Sequence, residues 1–269
     1  MKSQPRLAPM GEPAAELEMV RMSTRRLLRD VEDLTDEQAQ APSRLPGWNR
    51  AELLTHIARN ADGVRRMVEA ASRGDVGAQY PGGVEERAAD IAAGRDARAA
   101  DVLLDVRRSS DLMMKAWCAL PGDAWQRPGR AISGERTMRE MLWSRVREVE
   151  VHHIDLGLEY EPTDWPVPFV NHALEEIFET FSRRAAPSRP LVDAEYRIIS
   201  TDHERVWRVA LHGRDVEVQP DRDEPADGEV RGWGCDLVAW FYGRDPRGGG
   251  IVAAGDLSVL RLPQWFPYA

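Results

Sequence analysis

The residues with the clearest chemical capacity are one histidine in an early predicted helix and a carboxylate–imidazole pair in a later one. In the segment MLWSRVREVEVHHIDLG, Glu148 and His152 stand at i and i+4, and a helix of about 3.6 residues per turn stacks such a pair on one face. His56 sits in LPGWNRAELLTHIARN. One carboxylate and two imidazoles make a donor set suited to zinc or a similar first-row divalent ion, and a set of only three protein ligands leaves a coordination position for water or substrate. An open position of that kind points to catalysis. Blander readings stand beside this one. His56 alone fits a satisfied core histidine, and Glu148 with His152 also fits a helix-face hydrogen bond, with Glu148 reaching Arg145 one turn away. Glu150 and His153, at i and i+3 on a face rotated by about 100°, are an alternative pair.

These side chains need helices to hold them. Leu17, Val20, Met22, Leu27, Leu28 and Val31 recur at helical spacing and predict an amphipathic helix over 14–34, followed by a short turn capped by Thr35. Asn49 with Glu52 forms a capping-box signature opening a second helix that carries His56 and runs to about Arg73. The Gly/Pro stretch 74–83 ends it, and a long helical region follows over 84–120, kinked near Gly94 and stopped by Pro121-Gly122. Thr137 with Glu140 opens the helix of Glu148 and His152, which runs to about Gly157, and a further helix is expected over 166–184. A helical bundle of four or five helices over 1–186 follows, with its site between facing helices.

The pattern changes after Ala186-Pro187. AEYRIIS, RVWRVALHG and DVEVQPD alternate at period two, with a hairpin connection at 212–215. CDLVAWFYGR reads as a short helix ending at Gly243, and IVAAGDLSVLRL as a last strand. The expected second domain, 187–269, is α+β, with an antiparallel sheet and one helix.

Composition excludes several classes. With 269 residues, 42% apolar and 30% charged, the chain can form one large or two smaller domains. A net charge of -9 without an uninterrupted basic stretch argues against nucleic-acid binding. The N-terminus lacks the apolar core of a signal peptide and no apolar run is long enough to span a bilayer, so a cytoplasmic protein with no membrane partner is expected. Cys118 and Cys235 are distant from each other and read as reduced, packed thiols.

The stretches RLPGWNRAELLTHIARNADGV and MLWSRVREVEVHHIDLGLEYEPTDWP, with the late VAWFYGRD and LPQW, resemble the mycothiol-dependent maleylpyruvate isomerase family, an actinobacterial group related to the DinB-like metalloprotein bundles. The resemblance spans nearly the whole chain in the same domain order. It implies an N-terminal DinB-like four-helix bundle with a smaller C-terminal α+β domain, a divalent metal, usually zinc, on His56, Glu148 and His152, and mycothiol as the low-molecular-weight thiol. Asn49 departs from the Ser or Thr common after the Gly-Trp, yet caps a helix equally well.

The implied reaction converts maleylpyruvate to fumarylpyruvate. A thiolate adds to the activated cis alkene, the resulting single bond rotates, and elimination restores the alkene in trans form. A bound metal could lower the thiol pKa or polarise the substrate carbonyl. Substrate carboxylates call for arginine, and the resemblance offers Arg244 as a catalytic anion contact. Its blander role is a cation at a helix C-terminus, and Arg59 and Arg145 are further candidates. Trp48 and Trp143 could wall the pocket or simply pack. Two other functions are compatible with the residues: S-transfer of mycothiol to an electrophilic metabolite or antibiotic intermediate, and a non-catalytic metal-binding module, for which a broken ligand set would be expected.

Overall fold

The computed structural model describes residues 13–222, 224–246 and 250–268, which fall into two compact units meeting at Tyr160/Glu161. The sequence pattern placed that change at 186/187. The difference lies in the helix Val167–Thr180 (α7), whose apolar face of Phe169, Val170, Leu174, Ile177 and Phe178 packs on a helix of the second unit rather than joining the bundle.

The first unit is built on helices Ala14–Asp30 (α1), Asp36–Gln40 (α2), Arg50–Ser72 (α3), Gly83–Ala92 (α4), Ala99–Cys118 (α5) and Glu140–Asp155 (α6). α3 packs chiefly on α5, and α1 on α6. Leu27, Val31, Leu53, Leu54, Ile57, Val102, Val106 and Val149 form a shared core, each at its helical spacing on an inward face. The Asn49 capping box is present in full: Asn49 Oδ1 accepts from the Glu52 amide at 2.8 Å and Glu52 Oε2 accepts from the Asn49 amide at 3.0 Å. Thr35 forms the same reciprocal pair with Gln38.

Two parts of this unit differ from the pattern. The expected kinked helix over 84–120 is two helices, because the chain between Ala92 and Ala99 turns back against α3 and a Cβ at Gly94 would collide with the Thr55 side chain. The segment before α6 is a hairpin, Pro128–Ala131 (β1) against Gly134–Thr137 (β2), too short to show alternation in sequence. The reciprocal bonds of Thr137 and Glu140 are present, the Thr137 amide donating to Glu140 Oε2 at 2.7 Å and the Glu140 amide to Thr137 Oγ1 at 3.2 Å, but Thr137 ends β2 and the residue at the helix N-cap is Arg139, which supplies no side-chain cap.

α6 is tied to α1 by a buried polar cluster. Ser23 Oγ donates to Glu150 Oε1 at 2.5 Å, the Tyr160 hydroxyl donates to Glu150 Oε2 at 2.5 Å, and Arg26 Nη1 donates to Tyr160 at 2.9 Å. Burial raises the Glu150 pKa against the pull of these partners. His153 stacks on Tyr160 with ring centroids 3.8 Å apart. Its Nε2 lies 3.4 Å from Asp30 Oδ2 without hydrogen-bond alignment, and neither ring nitrogen is hydrogen-bonded.

The second unit carries a five-stranded sheet in the order β5-β4-β3-β6-β7. Its strands are Val192–Ser200 (β3), Arg205–Gly213 (β4), Asp215–Pro220 (β5), Gly228–Gly232 (β6) and Ile251–Gly255 (β7). The three strands read from sequence and their 212–215 hairpin are present. The sheet is mixed rather than antiparallel, because β6 pairs with β3 in parallel after a crossover. Only the first half of IVAAGDLSVLRL is strand; Leu257–Arg261 is 3-10 helix and runs into Leu262–Trp265 (α9). Gly234–Phe241 (α8) and α7 cover the sheet with an aromatic cluster in which Phe178 stacks on Trp207, and Phe181 on Phe266. No described helix is long and apolar enough to cross a membrane.

Two stability measurements follow. Asn49→Ala removes the cap of α3 and should cost about 1–2 kcal/mol in urea unfolding; an unchanged midpoint would mean that tertiary packing alone holds the α3 entry. For His153, burial and the charges of Arg26 and Arg29 lower the imidazole pKa to about 3. Between that value and the unfolded pKa of about 6.5, the unfolded chain binds a proton that the folded chain refuses. Stability therefore falls with acidification by about 1.4 kcal/mol per pH unit from this group, whereas the raised Glu150 pKa acts in the opposite direction. Comparing wild type with His153→Phe isolates the histidine: the variant should lose less stability between neutral and mildly acid pH, and parallel losses would remove His153 as the acid-sensitive group.

Candidate metal centre

The site is assembled from α3 and α6. His56 lies in the second turn of α3, while Glu148 and His152 share one face of α6. Their ligand atoms all fall within 4.8 Å of one another. His56 Nε2 is 2.7 Å from Glu148 Oε1 and 3.2 Å from His152 Nε2, and His152 Nε2 is 3.8 Å from Glu148 Oε1. The two imidazoles meet edge to face with centroids 4.8 Å apart, and the Trp48 ring closes on His56 at 5.5 Å.

Each member is oriented from behind. His152 Nδ1 faces Asp155 Oδ2 at 2.9 Å, and this buried carboxylate fixes the proton on Nδ1 and turns the Nε2 lone pair toward the cluster. The end of α6 that carries both residues is held by Arg50, whose Nε donates to the Leu156 carbonyl at 2.6 Å, and by the Arg44 amide, which donates to the Asp155 carbonyl at 2.7 Å. Gly157, at φ 66, provides the left-handed residue that ends the helix. Arg145 lies one turn before Glu148 and is buried at 1% exposure. Its Nη1 donates to the Ile57 carbonyl and to Asn60 Oδ1, both at 2.9 Å, and its Nη2 to Ser110 Oγ at 3.4 Å.

The electrostatics favour metal-binding protonation states. Burial alone would raise the Glu148 pKa, but His56, His152 and Arg145 together hold it well below the usual carboxylate range. Burial lowers the His56 pKa despite the attraction of Glu148, and burial also brings the Arg145 guanidinium down to about 10. A carboxylate and two neutral imidazoles are the forms that ligate a metal. Glu148 Oε1 is buried and faces His56 Nε2 at 2.7 Å and His152 Nε2 at 3.8 Å without hydrogen-bond alignment, so the three donor atoms converge on a space that a cation would satisfy. The donor set and the convergence of its buried carboxylate oxygen with two imidazole nitrogens both fit a divalent ion.

The other sequence candidates fall elsewhere. Glu150 and His153 point into the cluster with α1 and are not part of this group. Arg59 pairs with Asp105 at 2.5 Å and Asp62 at 3.3 Å, and Arg145 spends its donors inside the bundle, so neither is an anion contact. Arg244 follows α8 in the second unit, with Nη1 donating to the Tyr242 carbonyl at 2.6 Å. Cys118 is exposed rather than packed, and the buried Cys235 thiol is pushed up to about 11 by burial and by Asp236. Tyr80 and Arg87 went unread in the sequence. They come from the Gly/Pro stretch and from α4, and Arg87 Nη2 reaches His56 Nδ1 at 3.2 Å. No linear motif marks them, because the turn that folds α4 back over α3 brings them there.

Comparison with known proteins agrees with this architecture. Residues 20–157 match the family model described as the mycothiol maleylpyruvate isomerase N-terminal domain. Two crystal structures, of the mycothiol-dependent maleylpyruvate isomerase and of a histidine-to-alanine mutant of it, share the fold with a TM-score of 0.74 at 22% identity, over 92% of this chain and 93% of each of theirs. No curated protein matches the sequence.

Proposed function

Because the chain belongs to the mycothiol maleylpyruvate isomerase family, we propose that it is a thiol-dependent cis–trans isomerase acting on maleylpyruvate or a similar cis-enoyl acid, with mycothiol as the thiol and a divalent ion, zinc by donor type, at His56, Glu148 and His152. The observation that carries this reading is the convergence of these three donors, their ligand atoms all within 4.8 Å of one another around a buried carboxylate oxygen.

The nucleophile is borrowed. Neither cysteine belongs to the cluster, and the Cys235 thiol is protonated at neutral pH, so an external thiol supplies the sulfur. Thiolate addition forms a C–S bond and pushes the alkene electrons onto the conjugated carbonyl as an enolate. Rotation follows about the new single bond. Collapse of the enolate then expels the thiolate and leaves the trans alkene, so that no net oxidant, reductant or proton is consumed. A divalent ion held by the three donors would supply Lewis acidity, toward the thiol sulfur or the substrate carbonyl.

The protein's own residues hold the arrangement. Asp155 sets the His152 tautomer, His56, His152 and Arg145 keep Glu148 anionic, and the Trp48 ring packs edge-on against His56. Arg244 is assigned to a substrate carboxylate, on the family likeness and on the planar fork that suits arginine to carboxylates.

Two experiments test the proposal. His56→Ala and His152→Ala should each lose most bound metal by elemental analysis, whereas His153→Ala should retain it; full metal in both of the first two variants would reject the site. Purified protein with mycothiol and maleylpyruvate should give fumarylpyruvate with the thiol regenerated. A persistent thioether without fumarylpyruvate would instead assign the chain to S-transfer.

A further inference from the structure

The hydrogen bonds around the triad form a chain with a defined direction. His152 Nδ1 faces Asp155 Oδ2 at 2.9 Å and so carries its proton there, leaving Nε2 as a lone pair. His56 Nε2 faces two acceptors, Glu148 Oε1 at 2.7 Å and that lone pair at 3.2 Å, and so carries the His56 proton. His56 Nδ1 is left as an acceptor, and Arg87 Nη2 donates to it at 3.2 Å. The direction is consistent at every link, since a guanidinium can only donate.

A metal on His56 Nε2 reverses the first part of this chain. Neutral imidazole bound through Nε2 carries its proton on Nδ1, and an N–H at Nδ1 cannot accept from Arg87. The guanidinium loses its acceptor and stands beside added positive charge. The Tyr80 hydroxyl remains as an acceptor, but one oxygen satisfies only part of the five-donor fork. Arg87 Nε is already buried without a hydrogen bond, and the guanidinium carbon lies 5.5 Å from the centre of the Tyr80 ring, whose hydroxyl also accepts from Arg87. Arg145, the guanidinium near Glu148, has its two Nη groups engaged with Ile57, Asn60 and Ser110, although its Nε is also buried without a hydrogen bond. The helix that presents Arg87 is mostly exposed, with only Ile91 buried, so the side chain can turn without disturbing a core.

We infer that Arg87 is the carboxylate-binding residue of the first unit, released from His56 when a metal occupies the triad, so that a divalent ion and an anionic substrate bind with positive linkage. The inference rests on the triad reading above and adds to it a specific anion contact. A carboxylate is the matching ligand because two parallel N–H groups of the fork meet its two oxygens, and the negative charge offsets the repulsion between guanidinium and metal.

The test uses the full chain, zinc, and maleate as a small cis-dicarboxylate probe. Metal affinity is measured by competition with a chelator, with and without maleate, and maleate affinity by calorimetry on zinc-loaded protein. Arg87→Gln removes the charge but supplies an amide oxygen that can accept from His56 Nδ1–H. It should bind zinc at least as tightly as wild type in the absence of maleate, bind maleate roughly ten- to a hundredfold more weakly, and lose the tightening of zinc by maleate that wild type displays. Arg87→Lys keeps the charge and should retain part of that linkage. Unchanged maleate affinity in Arg87→Gln, or no effect of maleate on zinc in wild type, overturns the inference. So does loss of zinc by a folded Arg87→Gln, which would make Arg87 a support for His56. Equal zinc content in wild type and His56→Ala would reject the triad reading itself, and is thereby distinguished from failure at Arg87 alone.

Discussion

The first unit depends on one buried cation. Arg145 crosses from α6 to the carbonyl of Ile57, the residue next to His56, and to Asn60 one turn further along α3. It reaches Ser110 on α5 as well. A guanidinium this deeply buried is stable only if it is hydrogen-bonded and neutralised. Both needs restrict the helices: the Ile57 carbonyl must face α6, and Glu148 must lie close enough to share its charge. A slip of α3 by one residue would leave the cation unpaired and would also carry His56 away from Glu148. The interaction that sets the helix register is therefore the one that brings the three candidate metal donors together.

The two faces of α6 divide the labour. One face, with Arg145, Glu148 and His152, meets α3 and carries the candidate metal donors. The face with Glu150 and His153 meets α1, where Ser23, Arg26 and Tyr160 enclose Glu150. Both faces hold a carboxylate and a histidine, yet their environments differ. Glu148 is surrounded by cationic and imidazole groups that keep it ionised, while burial dominates at Glu150 and raises its pKa. His152 has a carboxylate behind it to orient its lone pair, and His153 has an aromatic ring. Residue type alone does not separate the two pairs; the neighbours do.

The second unit uses a similar device in a sheet. Arg208 on β4 is fully buried and donates to Glu195 at 2.6 Å and to the Glu224 carbonyl at 2.5 Å, with Asp221 at 3.5 Å. It anchors the irregular chain after β5 to the sheet before β6 begins. β6 then enters beside β3 in parallel, a pairing that no local alternation announces because it joins strands far apart in sequence.

Much of the molecule was legible in the chain. Capping boxes at Asn49 and Thr35 and the reciprocal Thr137–Glu140 bonds are local hydrogen-bond chemistry, so their residue types and spacing are enough to find helix starts. The i, i+4 spacing of Glu148 and His152 likewise follows from helix geometry. What the sequence left open was decided by contacts between distant segments. The choice of His152 over His153 depended on which face of α6 met α3, and the break at Gly94 depended on close approach to Thr55. The transfer of α7 to the second unit depended on where its aromatic face found partners. Arg87 became a neighbour of His56 only because a Gly/Pro turn folds α4 back over α3. Local backbone preferences determine elements and their ends; the burial of charge and of apolar faces decides which elements meet, and the site exists only at that meeting.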